Sequence, residues 1–164
     1  MSKDFYTQFI LPYAGIIIKI CRAYTDTEED FQDYYQEVCL QLWKSRENFK
    51  GDSKWSTWVY RISLNVSLSL LKKDKKVNKK SVELKDLATV TPNDLNPFND
   101  ESLKLLYIAI KKLSELDRAI ILLYLEENSY QEIAEIIGLS PNNIGVKITR
   151  IKKKLKTLLD GKIY

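Results

Sequence analysis

Residues 129–150 read SYQEIAEIIGLSPNNIGVKITR, and this stretch decides the fold. Ser129 and Glu132 form a Ser–x–x–Glu capping box, in which hydroxyl and carboxylate each satisfy a backbone N–H left open at a helix start. The helix they open ends at Gly138, because glycine takes the left-handed position after a helix at little steric cost. Ser140 then caps a second helix, and Pro141 fills its first turn, where a missing N–H costs nothing. Ala134, Gly138 and Ile144 stand where a helix-turn-helix needs a small residue at the crossing, a glycine-like turn and an apolar anchor. Ile133, Ile137, Leu139 and Ile148 supply its local core. The same signals also fit an ordinary tight helical hairpin.

The second helix runs to about Leu159 on Ile144, Ile148, Ile151, Leu155 and Leu158. Its first turns carry Asn142, Asn143 and Lys147, followed by Arg150. Asparagine and arginine make bidentate contacts to base edges, while lysine suits phosphates. Between Lys147 and Lys156 stand Arg150, Lys152, Lys153 and Lys154, with no acid among them. The expectation is a recognition helix on duplex DNA, with strongly salt-dependent binding carried by Asn142, Asn143, Lys147, Arg150, Lys153 and Lys154.

Upstream, Leu103, Leu106, Ile110 and Leu113 predict another helix, and Asp117 is the expected N-cap of the next, with Leu116 and Ile121 as its hydrophobic staple. Residues 74–101 lack a sustained period. They open on Lys75, Lys76, Lys79 and Lys80 and close on Thr91-Pro92-Asn93-Asp94 and Asn96-Pro97, which predicts a flexible linker. Before it, helical spacing recurs over 5–24, 28–45 and 56–73, with a loop at 46–55 around Gly51-Asp52-Ser53. No strand pattern occurs. The expected architecture is all-α: a helical domain over 1–73, the linker over 74–101, and a helix-turn-helix domain over 102–164.

Composition narrows the function. The chain has 164 residues and a net charge of +4, and the basic excess falls in the last third. It has no histidine, which removes the commonest general base and metal ligand. Cys21 and Cys39 sit in apolar helical patterns and read as buried thiols, without a Cys–x–x–Cys metal motif. The apolar run at 10–18 is interrupted by Pro12 and closed by Lys19 and Arg22, without a cleavage site. It is too short to span a bilayer, so no membrane insertion and a cytoplasmic location are expected.

The helix over 28–45 has a second stripe, on which Leu40 and Trp43 stand beside Asp33, Gln36 and Glu37. Apolar residues rimmed by charge mark docking surfaces, although Trp43 folding back onto its own domain is the equal alternative. The loop and helix after it hold Phe49, Lys50, Ser53, Trp55, Arg61 and Asn65. Aromatic rings among cations suit single-stranded nucleic acid. Trp58 is expected in the core, and Trp55 and Tyr60 are open either way.

Residues 29–73, including Phe49-Lys50-Gly51-Asp52-Ser53 and Trp58 to Asn65, resemble region 2 of extracytoplasmic-function sigma factors, and residues 113–157 resemble region 4. The resemblance implies a protein that binds core RNA polymerase and directs promoter recognition, melting and transcription initiation, without cofactor or catalysis of its own. It implies polymerase docking by Asp33, Gln36, Glu37, Leu40 and Trp43. It implies capture of a single-stranded −10 element by Phe49, Lys50, Ser53, Trp55, Arg61 and Asn65, with Phe49 and Asn65 foremost. The last helix then reads the −35 duplex, and an anti-sigma factor is the expected regulator of a chain that is a monomer when free. No appended sensory domain is expected after the last helix. Gly145 and Val146 depart from the family, where a basic and a small polar residue are common, which takes weight off these two as base readers. The glycine admits close approach of the helix to a DNA backbone. A dimeric helix-turn-helix regulator and a protein-sequestering module are the competing readings.

Overall fold

The computed structural model describes residues 2–78 and 101–160, in two compact units. Among the described residues every regular element is helical, and no strand occurs.

In the first unit the apolar stretch expected as one helix over 5–24 is broken. A short turn of helix, α1 (Lys3–Phe5), passes into a π-helical turn over Tyr6–Ile10 and a 3-10 turn over Leu11–Tyr13, before α2 (Ala14–Ala23). Pro12 is the physical cause: it has no N–H to give the ladder, and its ring disturbs the preceding turn. Next come α3 (Glu28–Lys44), a 3-10 turn over Arg46–Asn48, and α4 (Trp55–Asn78). Thr27 caps α3 by accepting the Asp30 N–H at 3.1 Å, and three acids fill its first turn.

Helices α2, α3 and α4 pack pairwise around Ile17, Ile20, Cys21, Phe31, Tyr34, Val38, Leu42, Val59 and Leu64, all buried. Ser63 and Ser67, one turn apart on α4, are fully buried beside them. At the rim Arg22 reaches Glu28 at 2.6 Å and lies 3.6 Å above the Phe31 ring. The Arg22 guanidinium holds the Glu28 carboxyl below its usual range. Trp58, expected in the core, is half-buried; Tyr60 is the buried aromatic of its turn.

α4 runs past the expected boundary at 73. Tyr34 Oη donates to the Asp74 carboxylate at 2.9 Å, tying that turn to α3, and Lys75 and Lys76 suit the negative end of the helix dipole. Residues 79–100, most of the expected linker, lie outside the described residues.

The second unit comprises α5 (Glu101–Lys111), α6 (Glu115–Leu125), α7 (Tyr130–Ile137) and α8 (Pro141–Asp160). Its core holds Ile110, Leu113, Ile120, Ile121, Leu123, Ile133, Ile144, Ile148 and Ile151. The N-cap of α6 is Ser114, not Asp117: the Ser114 hydroxyl accepts the Asp117 N–H at 3.2 Å. Ser114–x–x–Asp117 outcompetes the later start because it places an acid at the third helical position, inside the favourable end of the dipole. Leu116 is consequently exposed, at 41%, and makes no staple. The Ser129–Glu132 capping box is complete in both directions, and Gly138 is left-handed at φ +88°. Ser140 accepts the Asn143 N–H at 3.2 Å, opening α8 as the sequence predicts. α7 and α8 form the helix-turn-helix, with α6 packed across both.

Candidate nucleic-acid interface

The core stripe of α8, Ile144, Ile148, Ile151 and Leu155, is buried against the rest of its unit. A helix turning through 3.6 residues then presents Asn142, Val146, Thr149, Arg150 and Lys153 on the opposite side, and all five are exposed. Asn143, Lys147 and Lys154 form an adjoining stripe with Arg150; Asn143 and Lys154 are exposed and Lys147 is half-buried. The six residues expected to touch duplex DNA therefore share one side of one helix.

Two neighbours of that side are engaged elsewhere. Lys152 donates to Tyr124 Oη at 2.6 Å, a contact that raises the lysine's proton affinity and draws it toward α6. Tyr130, the first residue of α7, lays its ring beside Gly145, where an added Cβ would meet ring carbon at 3.4 Å. An alanine fits there, and a longer side chain has to pass the Tyr130 ring. Sequence reasoning missed Tyr130, because its contact with Gly145 spans a turn whose geometry no periodicity expresses.

In the first unit two of the expected single-strand residues, Phe49 and Trp55, meet in an aromatic cluster, and two more, Arg61 and Asn65, lie along α4. Phe49 stands edge-on to Trp55 at 5.1 Å and tilted to Trp58 at 5.8 Å. Trp55 in turn meets Phe9 at 5.7 Å and Phe5 at 6.2 Å, and its indole N–H donates to the Phe9 carbonyl at 2.7 Å. These rings form one cluster that joins the chain's start to the start of α4. Lys50 is exposed beside Gly51, which is left-handed at φ +79°, and Ser53 is half-buried. Arg61 and Asn65 follow Trp58 at i+3 and i+7 on one stripe of α4, Asn65 exposed and Arg61 half-buried. Asn65 lines a groove of about 280 Å³ with Glu37, Gln41, Ile62, Val66, Ser69 and Leu70. Within it Gln41 Nε2 donates to Glu37 Oε1 at 3.0 Å. An amide and a carboxylate over an apolar floor suit the edge and face of an unstacked base. Glu37 and Asn65, expected to serve different partners, thus face the same groove.

On α3, Asp33, Gln36 and Leu40 are exposed, Leu40 at 38%. Trp43 is half-buried: it stands edge-on to Phe5 at 5.2 Å, and the Arg46 guanidinium covers it at 3.6 Å. Of the two apolar residues among the five expected on a docking surface, Leu40 is exposed and Trp43 is half-buried against its own unit.

Cys21 and Cys39 are buried free thiols, pushed by burial up to about 12 and about 11. At neutral pH they stay protonated, and thiolate is the reactive form. Among the described residues no cluster of acids and cysteines is placed to hold a metal, and no helix is long and apolar enough to cross a membrane.

Comparison with known proteins adds a second line of evidence. The family description Sigma-70 region 2 matches residues 9–77, and Sigma-70, region 4 matches residues 103–155. The chain is 29% identical to the ECF RNA polymerase sigma factor SigG of Mycobacterium tuberculosis, over 90% of this chain and 46% of that protein. It thus spans about half the length of that relative. It is 28% identical to the ECF RNA polymerase sigma-E factor of Haemophilus influenzae, over 94% of this chain and 87% of that one. In fold it resembles the sigma factor RpoE of Bartonella quintana, solved in complex with the anti-sigma factor NepR. The TM-score is 0.74 at 19% identity, over 98% of this chain and 99% of that one. CnrH, solved in complex with the cytosolic domain of CnrY, gives a TM-score of 0.68 at 20% identity, over 98% and 91% of the two chains.

Proposed function

The chain belongs to the sigma-70 family, in its extracytoplasmic-function branch, and from that premise we propose that it binds core RNA polymerase and directs promoter recognition, melting and transcription initiation. The observation that carries the reading is the polar and basic side of α8 in a region that matches region 4. Asn142, Asn143 and Arg150 reach base edges of the −35 duplex, and Lys147, Lys153 and Lys154 hold its phosphates. In region 2, Asn65 takes a flipped base of the −10 element at the α3–α4 groove. Lys50 and Arg61 follow its backbone, and Phe49 and Trp55 shape the loop that includes Ser53. Asp33, Gln36 and Leu40 dock on the polymerase, with Glu37 and Trp43 at the margin. The polymerase supplies the catalysis, and the chain works where the polymerase does, in the cytoplasm. Two solved relatives were captured with an anti-sigma factor or a partner's cytosolic domain, which supports regulation of this chain by a protein of that kind.

Reconstitution tests the reading. Purified chain added to core polymerase is expected to start run-off transcription at a specific promoter that core polymerase alone ignores. Specific binding of the chain alone to a two-fold symmetric duplex, with no association with core polymerase, overturns it in favour of a dimeric regulator. Leu40→Glu is expected to weaken co-purification with polymerase while helicity is retained. Asn65→Ala is expected to impair promoter opening, read with a single-strand-specific base probe, more than polymerase binding.

A further inference from the structure

Val146 occupies the middle of the DNA-facing side of α8. Asn142 lies one turn before it, Arg150 one turn after, and Lys153 beyond. It is 50% exposed, on the opposite side of the helix from the buried stripe of Ile144, Ile148 and Ile151. A single exposed valine elsewhere on a protein needs no explanation. At this position it is the one aliphatic side chain on an otherwise polar and basic surface. Valine is also a poorer helix former than the lysines around it, so helix propensity does not account for it.

Thr149, its neighbour on the same side, donates its hydroxyl to the Gly145 carbonyl at 3.0 Å, which engages that polar group with its own backbone. The face offers a fixed apolar knob between an amide and a guanidinium. The β-branch leaves that knob few rotamers to lose on binding. The major groove presents one apolar group, the C5-methyl of thymine; every other feature of the base edges is a donor or an acceptor.

We propose that Val146 is a specificity-determining residue of the −35 contact, selecting a thymine through its C5-methyl, while Asn142 and Arg150 address the flanking positions. This rests on the reading of α8 as the −35 helix.

The test uses the chain assembled with core polymerase. Duplexes are enriched from a randomised pool, and each thymine of the −35 element is replaced in turn by uracil, which removes only the methyl group. One uracil is expected to weaken binding by wild type about fourfold, the worth of a buried methylene. The same uracil should leave Val146→Ala unaffected. Val146→Ala should keep the dependence of affinity on salt, because no phosphate contact is lost. Uracil effects equal in wild type and variant, or an element without thymine, overturn the proposal while the −35 reading stands. A changed salt slope in Val146→Ala assigns the valine to helix placement and overturns it also. If no duplex is enriched at all, the −35 reading itself falls.

Discussion

Gly138 and Gly145 lie seven residues apart in the helix-turn-helix and meet different demands. Gly138 is left-handed at φ +88°, a conformation that costs a residue with a Cβ about 1–2 kcal/mol. Gly145 is an ordinary helical residue, and a Cβ there makes normal van der Waals contact with Tyr130 at 3.4 Å. Alanine at 145 should therefore recover about 1 kcal/mol of helix propensity. Gly138→Ala is expected to lower the melting temperature of the second unit, and Gly145→Ala to raise it, in thermal unfolding followed by circular dichroism. If Gly145→Ala also weakens duplex binding while raising stability, close approach to the DNA is what the glycine serves. The sequence marks both glycines. Their opposite effects on substitution depend on a dihedral angle and on a ring from another helix.

The broken start of the chain shows how one element holds another. Pro12 interrupts the backbone ladder, and the carbonyl of Phe9 is taken by the indole of Trp55 at 2.7 Å. Trp55→Phe keeps an aromatic ring in the cluster and removes the donor, at an expected cost of about 1 kcal/mol. Hydrogen exchange should then quicken over residues 3–13 and stay unchanged in α7 and α8; unchanged exchange over 3–13 would deny the bond any role. Caps were the most legible feature at this scale. The capping box at Ser129 was readable because its partners are three residues apart, and Ser129→Ala is expected to cost about 1 kcal/mol, read by urea unfolding. The start of α6 is less legible because Ser114 and Asp117 are both capping residues; the Ser114 hydroxyl accepts the Asp117 N–H, which leaves the acid inside the first turn.

Across the molecule, several weak acids are held protonated. Burial raises Cys21 to about 12, Cys39 to about 11 and Tyr107 to about 12, and lifts Tyr34 and Tyr35 as well. In the unfolded chain the thiols titrate near 9.0 and the phenols near 10.0. Above those values the unfolded chain binds fewer protons than the native one, so stability falls as pH rises. The stabilisation is complete below about pH 9 and is expected to decline through pH 9–12, in urea unfolding repeated across that range. On the acid side, Glu28 is lowered by Arg22, and its contribution should be lost as pH falls below the ordinary carboxylate range. Salt should weaken promoter binding steeply, with the slope of log affinity against log salt falling by about one in Lys153→Ala if that lysine holds a phosphate.

The sequence by itself determined the helical class, the caps that bound α7 and open α8, and the polar side of α8. Each rests on contacts within one turn or one helical period, where spacing along the chain is spacing in space. Tertiary structure decided the rest. Trp43 lies under Arg46 and against Phe5, and Trp55 holds the carbonyl of Phe9. Glu37 shares a groove with Asn65. Apart from the Arg46 cover, three residues along, these contacts join separate segments of the chain, and no local pattern states which aromatic of an amphipathic helix will find a partner within its own unit and which will be left for another molecule.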